Sequence, residues 1–239
     1  ASDDDWLVEI GAGLGTLTSR LAVAVPRGRV VAVERDRDLV AVLRAELGEA
    51  SNIEIAEANA MTFRYDEVAK RAGRAIVIVG NLPYQLASQL LFAILAVRQV
   101  VARAVVMLQR EMAERLLAAP GERAYGALGV MVTTYADVRL VTRVAAGAFF
   151  PAPKVASSVV ALQPLPGPRV PLADEGRYSR IVHAAFGQRR KMLRNALAAA
   201  FPIEAVDRVL LATGLDGRRR GETLSVQEFA SLANLIDDA

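Results

Sequence analysis

Trp6-Leu7-Val8-Glu9-Ile10-Gly11-Ala12-Gly13-Leu14-Gly15 sets a short apolar run against three glycines in alternate positions. The apolar run reads as a buried strand, and glycines directly after it let the backbone turn sharply and approach a ligand closely. The pattern from Thr16 to Ala24 then reads as a helix. Outward from this unit, apolar β-rich runs recur at Val30 to Glu34, Ile53 to Ala56, Ala75 to Val79 and Ala102 to Leu108, separated by helical patterns at Asp38 to Leu47 and Ser88 to Ala96. Strands alternating with helices make a doubly wound α/β sheet, parallel and covered on both faces. Helices are predicted near Glu111 to Ala118 and Leu128 to Ala136, followed by late strands of the same sheet at Val138 to Val144 and Ser157 to Leu162.

Gln163-Pro164-Leu165-Pro166-Gly167-Pro168 blocks both helix and ladder, so a domain boundary is placed there. This divides the chain into a sheet domain, 1–164, and a small all-α domain, 169–239, whose last helix opens on Ser225 and Glu228 spaced as a capping box. A length of 239 residues with 53% hydrophobic content supports a buried core of that size. No apolar run approaches the roughly 20 residues that span a bilayer, and Ala1 to Asp5 is acidic, unlike a secretory signal. Zero cysteines and a single histidine, His183, leave no disulfide frame and no metal cluster. Net charge is only +3, yet Arg177 to Arg194 carries six basic residues (Arg177, Arg180, Arg189, Arg190, Lys191 and Arg194) and no acidic one. Such a stretch suits a phosphate-tracking surface, and equally a solvated helix face.

A glycine turn at the carboxyl end of strand one is where doubly wound sheets bind nucleotides. Glu34, at the end of strand two, is spaced to accept both ribose hydroxyls of an adenosine ligand, or else pairs with Arg35 or Arg37. The Gly-x-Gly-x-Gly spacing departs from the usual dinucleotide fingerprint, although by itself it is a weak signal. Asn59-Ala60, after strand three, lies where such sheets meet an adenine ring, but an Asn in a turn often serves its own backbone. Strand four runs into Gly80-Asn81-Leu82-Pro83-Tyr84. Methylating an aromatic amine requires acceptors aimed at its hydrogens, because the nitrogen lone pair is delocalised. The Asn81 side-chain oxygen and the Leu82 carbonyl supply two, Pro83 fixes the turn and Tyr84 offers a stacking ring; the plain alternative is a proline turn with a buried tyrosine.

With Glu9 to Gly15 and Asn81 to Tyr84, the stretches Gln109 to Arg115, Ala124 to Gly126, Phe149 to Val155 and Phe186 to Lys191 closely resemble the KsgA/Dim-type ribosomal RNA small-subunit adenine dimethyltransferases over nearly the whole chain. The resemblance implies a Rossmann-like class I S-adenosyl-L-methionine-dependent methyltransferase sheet with a small C-terminal all-α domain. It implies that Glu9, Gly11, Gly13, Glu34, Asn59, Ala60 and Asn81 hold the cofactor, and that Asn81, Leu82, Pro83, Tyr84 and Phe149 form the catalytic corner around the target adenine. Lys154, Arg189, Arg190, Lys191 and Arg194 are implied to touch RNA. The expected reaction is N6,N6-dimethylation of two adjacent adenosines near the 3′ end of small-subunit rRNA, on an immature 30S-type subunit, by a cytoplasmic monomer needing no metal and no membrane.

Two departures from the family pattern carry expectations of their own. The family's N-terminal segment with a Gln-x-Phe-Leu type motif, which closes over the methionine end of the cofactor, has no counterpart ahead of Trp6, implying a more open site and weaker cofactor binding for the chain as given. Asn59 stands where the family commonly has Asp, keeping an acceptor and losing a charge. Ala156, where Asp is usual, is a lesser change. Rival readings are a non-catalytic RNA-binding relative, the branch that methylates large-subunit RNA, and a small-molecule methyltransferase, the last needing no basic helical domain.

Overall fold

The apolar runs expected as central strands are shielded on both faces: Val8, Val31 and Ile78 are all completely buried, as a parallel sheet sandwiched between helices requires. The computed structural model describes residues 2–149, 153, 155–188 and 190–237. Among them the strands are β1 (Trp6–Ile10), β2 (Arg29–Glu34), β3 (Ile53–Glu57), β4 (Ile76–Asn81), β5 (Val101–Gln109), β6 (Ala136–Val144) and β7 (Ser157–Pro164). The helices are α1 (Thr16–Ala24), α2 (Arg37–Leu47), α3 (Tyr65–Ala72), α4 (Ala87–Ala96), α5 (Arg110–Leu117), α6 (Ala127–Tyr135), α7 (Glu175–Gly187), α8 (Leu193–Leu197), α9 (Ile203–Thr213) and α10 (Val226–Leu235).

One seven-stranded sheet has the order β3-β2-β1-β4-β5-β7-β6. β1 pairs in parallel with both β2 and β4, so the chain winds outward in one direction through β3 and then returns to build β4 and β5 on the other side. The reversal leaves a crevice at the carboxyl ends of β1 and β4, where open α/β sheets bind ligands. β7 breaks the parallel pattern: it is antiparallel to β5, with Ser157 opposite Gln109 and Leu162 opposite Ala104. Gly80 is forced at the β1–β4 contact, since a Cβ there would sit 2.7 Å from the Ile10 carbonyl oxygen.

Two compact units result: Ala1–Ala113 with Asp137–Pro166, and Glu114–Ala136 with Gly167–Ala239. This differs from the expected split, because Glu114–Ala136, including α6, groups with the helical unit rather than with the sheet. The reason is packing: Tyr125 and Val130 belong to the helical core with Tyr178, Leu197 and Phe229, and the buried Tyr125 hydroxyl donates to the Leu224 carbonyl at 2.8 Å. In that unit α10 carries the expected capping box, Glu228 N–H to Ser225 Oγ at 3.2 Å and Ser225 N–H to the Glu228 carboxylate at 2.8 Å.

Candidate active site

Gly11, Gly13 and Gly15 all take positive φ (70°, 59° and 80°), which L side chains adopt only under strain, so this sequence turns where a chain with Cβ atoms would resist. The turn places the Gly13 N–H on the Glu34 carboxylate at 3.0 Å, while the other carboxylate oxygen accepts from the Arg35 and Asp36 N–H groups at 2.7 and 2.9 Å. Glu34 is thus clamped in place at the mouth of the crevice, and the expectation of a salt bridge with Arg35 or Arg37 does not hold: Arg37 instead reaches Glu57 at 3.1 Å.

A cavity of about 250 Å³ opens here. Gly11, Glu34, Asn59, Ala60 and Pro83 line it, which brings together residues from the tips of β1, β2, β3 and β4. Arg35, Leu86 and Leu90 line it too and were not anticipated; an apolar residue following the β4 turn by a few positions was the available signal. Asn59 Oδ1 accepts the Met61 N–H at 3.0 Å, so the plainer expectation holds for that oxygen: a short amide two residues before a turn N–H satisfies its own backbone.

Glu9, expected to hold the cofactor, instead lies beneath the glycine turn, away from the cavity surface. It is 2% exposed and does not line the cavity; the Thr18 hydroxyl donates to its Oε2 at 2.5 Å beneath the glycine turn. Burial raises its pKa to about 7, opposed by the Thr18 hydrogen bond and reinforced by the nearby Glu34 charge. Its place is under the loop, as a support.

At the tip of β4 the Asn81 side chain is exposed and makes no hydrogen bond among the described residues. Leu82 is tied in by its N–H to the Met107 carbonyl at 3.1 Å and by its buried side chain, and its own carbonyl accepts no hydrogen bond among the described residues. Tyr84 is not the buried tyrosine of the plain alternative: it is 37% exposed, with its hydroxyl 3.4 Å from Ser157 Oγ at the start of β7. Phe149 is half-buried and not part of the cavity lining.

The expected RNA-facing residues divide. Arg190 and Lys191 are exposed, without ion pairs among the described residues. Arg194 is engaged: its Nε and Nη2 lie 2.5 and 2.6 Å from the two Asp207 carboxylate oxygens, a bidentate pair that neutralises it within the helical unit. Lys154 and Arg189 lie outside the described residues. No cluster of three or more metal-ligating side chains, and no helix long and apolar enough to cross a membrane, occurs among the described residues.

A sheet of this order with a glycine-turned crevice between β1 and β4 defines a Rossmann-like methyltransferase. The family model described as ribosomal RNA adenine dimethylase matches residues 2–238. This chain belongs to that family, and it is an rRNA-methylating enzyme. It is 48% identical to the ribosomal RNA small subunit methyltransferase A of Anaeromyxobacter sp. strain K, over 97% of this chain and 84% of that one, and 42% identical to the Myxococcus xanthus protein of the same name, over 98% and 81%. Among solved structures it is similar to a dimethyladenosine transferase from Plasmodium falciparum, at 25% identity, TM-score 0.78 and coverage of 97% and 89%. The 23S rRNA methyltransferase ErmE shares the fold, with TM-score 0.70 at 24% identity, 98% of this chain and 92% of that one.

Proposed function

We propose that this protein uses S-adenosyl-L-methionine to dimethylate N6 of two adjacent adenosines near the 3′ end of small-subunit rRNA, as a step in small-subunit biogenesis. The observation that carries the proposal is the pairing of an exposed Asn81 amide with an unoccupied Leu82 carbonyl at the β4 tip, beside a cavity that ends at Pro83. When bound, the cofactor supplies a sulfonium methyl group for in-line transfer.

The residues present suit that group. Glu34 Oε2, which accepts only the Gly13 N–H, keeps lone-pair capacity for a ribose hydroxyl, and the bare backbone of Gly11 and Gly13 permits close approach. Ala60, Ile10, Val33 and Leu90 give the cavity an apolar wall fit for a nucleobase. Asn81 and Leu82 then hold the acceptor amine by its two hydrogens, which draws the nitrogen toward the tetrahedral geometry it needs for attack. Extruding a base costs a few kcal/mol; stacking on Tyr84 and Phe149 returns roughly 1–3 kcal/mol per base. Lys154, Arg189, Arg190 and Lys191 serve the RNA backbone.

The test is methyl transfer from radiolabelled S-adenosyl-L-methionine to immature small subunits, with nucleoside digestion and mapping of the product. Dimethyladenosine at two adjacent positions near the 3′ end of the small-subunit RNA is expected. Modification of large-subunit RNA instead, or binding without incorporation, would overturn the assignment.

A further inference from the structure

The outer edge of the sheet carries a second cationic surface, on the catalytic unit itself. β6 is the terminal strand, next to β7. Along it Asp137, Arg139, Val141 and Arg143 are all exposed, and residues two apart share a face, so Arg139 and Arg143 project together on either side of Val141. Neither arginine makes an ion pair or a side-chain hydrogen bond among the described residues. Other arginines of this unit are compensated: Arg64 pairs with Asp66 at 3.0 Å, Arg74 with Asp4 at 2.8 Å, and Arg103 with the buried Asp5 at 3.0 Å. From Val138 to Ala173 the sequence contains no acidic residue and four basic ones, Arg139, Arg143, Lys154 and Arg169. Asp137, one turn of the pleat before Arg139, is the acidic neighbour on the strand.

Placement gives the surface its direction. Asp137, Val138 and Arg139 share a small cavity of about 100 Å³ with Arg103 and with Ala161, Leu162 and Gln163. β6 therefore begins where β7 ends and β5 begins, and it advances toward the carboxyl edge of the sheet. At ~3.3 Å per residue, Arg143 lies about 13 Å beyond Arg139, near the level of Ser157, whose hydroxyl is the neighbour of Tyr84. The two guanidinium groups thus form a track that climbs the flank of the sheet toward the methylation corner.

We infer that the Arg139–Arg143 edge of β6 binds the sugar–phosphate backbone of the RNA flanking the extruded adenosine, a contact separate from the basic helical unit. The inference rests on the proposed rRNA substrate. Guanidinium groups suit phosphates in a bidentate way, and uncompensated, exposed ones at a fixed spacing guide a strand without reading its sequence. Arginines on an edge strand also discourage strand-to-strand pairing with a second copy, and the test separates the two roles.

The probe is a fluorescent hairpin corresponding to the 3′ end of small-subunit rRNA, titrated against wild type, R139A/R143A and, as a control, R20A, which removes an exposed and unpaired arginine on α1. For R139A/R143A the expected result is about tenfold weaker RNA binding at ~0.1 M salt, and a salt dependence of log K shallower by about 1.4, from two contacts at ~0.7 each. S-adenosylhomocysteine affinity and the thermal midpoint should stay at wild-type values, and R20A should match wild type throughout. Unchanged RNA affinity and slope in the double variant overturns the inference, as does an equal loss in R20A, which would reduce it to net charge. Appearance of a dimer in sedimentation with RNA affinity retained also overturns it, leaving the arginines as guards of the edge. A wild-type protein that neither binds the hairpin nor methylates small subunits would instead refute the substrate reading on which the inference stands.

Discussion

Glu9 is a carboxylate held beneath the glycine turn with a pKa near 7, and its replacement by Gln offers a quantitative test. In the unfolded chain the carboxyl titrates near its ordinary 4.5, whereas in the fold burial raises it to about 7. Between those values the native state binds the extra proton, so stability falls as pH rises. It is greatest below the lower pKa, and the full loss is reached above the upper one. At 1.36 kcal/mol per pH unit the whole span is on the order of 3 kcal/mol, and between pH 5 and pH 8 it is about 2–3 kcal/mol. Glu9→Gln keeps an acceptor for the Thr18 hydroxyl and removes the titration. The variant should therefore resemble wild type near pH 5 and melt higher at pH 8, by roughly 4–12 °C at ~2–4 °C per kcal/mol. Differential scanning fluorimetry at several pH values, compared as variant minus wild type so that other groups cancel, measures this. A difference that stays flat from pH 5 to pH 8, or a variant destabilised at pH 8, would refute the claim that a buried charge is carried there at a cost.

Asn81→Ala removes one acceptor from the amine site and should lower kcat by about 10²-fold, by analogy with removal of one oriented hydrogen-bonding group from a transition-state site, while calorimetry shows S-adenosylhomocysteine affinity within a few-fold of wild type. Equal losses in both would make Asn81 a structural residue. Gly13→Ala meets no atom within 4 Å, so its effect is conformational alone: forcing a side chain to φ 59° costs roughly 1–2 kcal/mol, seen as weaker cofactor binding or a lower thermal midpoint. In the helical unit, Tyr125→Phe keeps the ring but leaves the Leu224 carbonyl without its donor, and chemical denaturation should report a loss of about 1–3 kcal/mol.

The strands were legible in the sequence to within two residues at either end, the central ones because they are buried apolar runs and β6 because its apolar residues alternate with polar ones, signals that survive without knowledge of partners. α3 was not, since its eight residues, Tyr65–Ala72, include Asp66, Glu67, Lys70 and Arg71, leaving only Tyr65, Val68 and Ala69 buried, too few to show a period. The division of the chain was half legible. Prolines around 164–168 mark one of three crossings between units, but another falls inside α5, between Ala113 and Glu114, where an unbroken helix gives no local sign, and the third lies at the start of β6, between Ala136 and Asp137. The site followed the same rule. Gly11, Glu34 and Pro83, which line the cavity, stand out because spacing along the chain puts them at strand ends. The Thr18 partner of Glu9 and the Asp207 partner of Arg194 depend on which elements pack together, and neither pairing has a one-dimensional signature.

The reversed direction of β7 has a consequence for how such an enzyme can diversify. In a sheet built of parallel crossovers alone, each strand delivers one outgoing loop to the ligand-binding rim, and those loops are already occupied here by the turns after β1, β2, β3 and β4. A strand that starts at the rim, as β7 does with Ser157 beside Gln109, brings the chain into that edge as well as out of it. Ser157, at that incoming end and 3.4 Å from the Tyr84 hydroxyl, can therefore vary without disturbing the turns after β1 and β2 that carry Gly11 and Glu34.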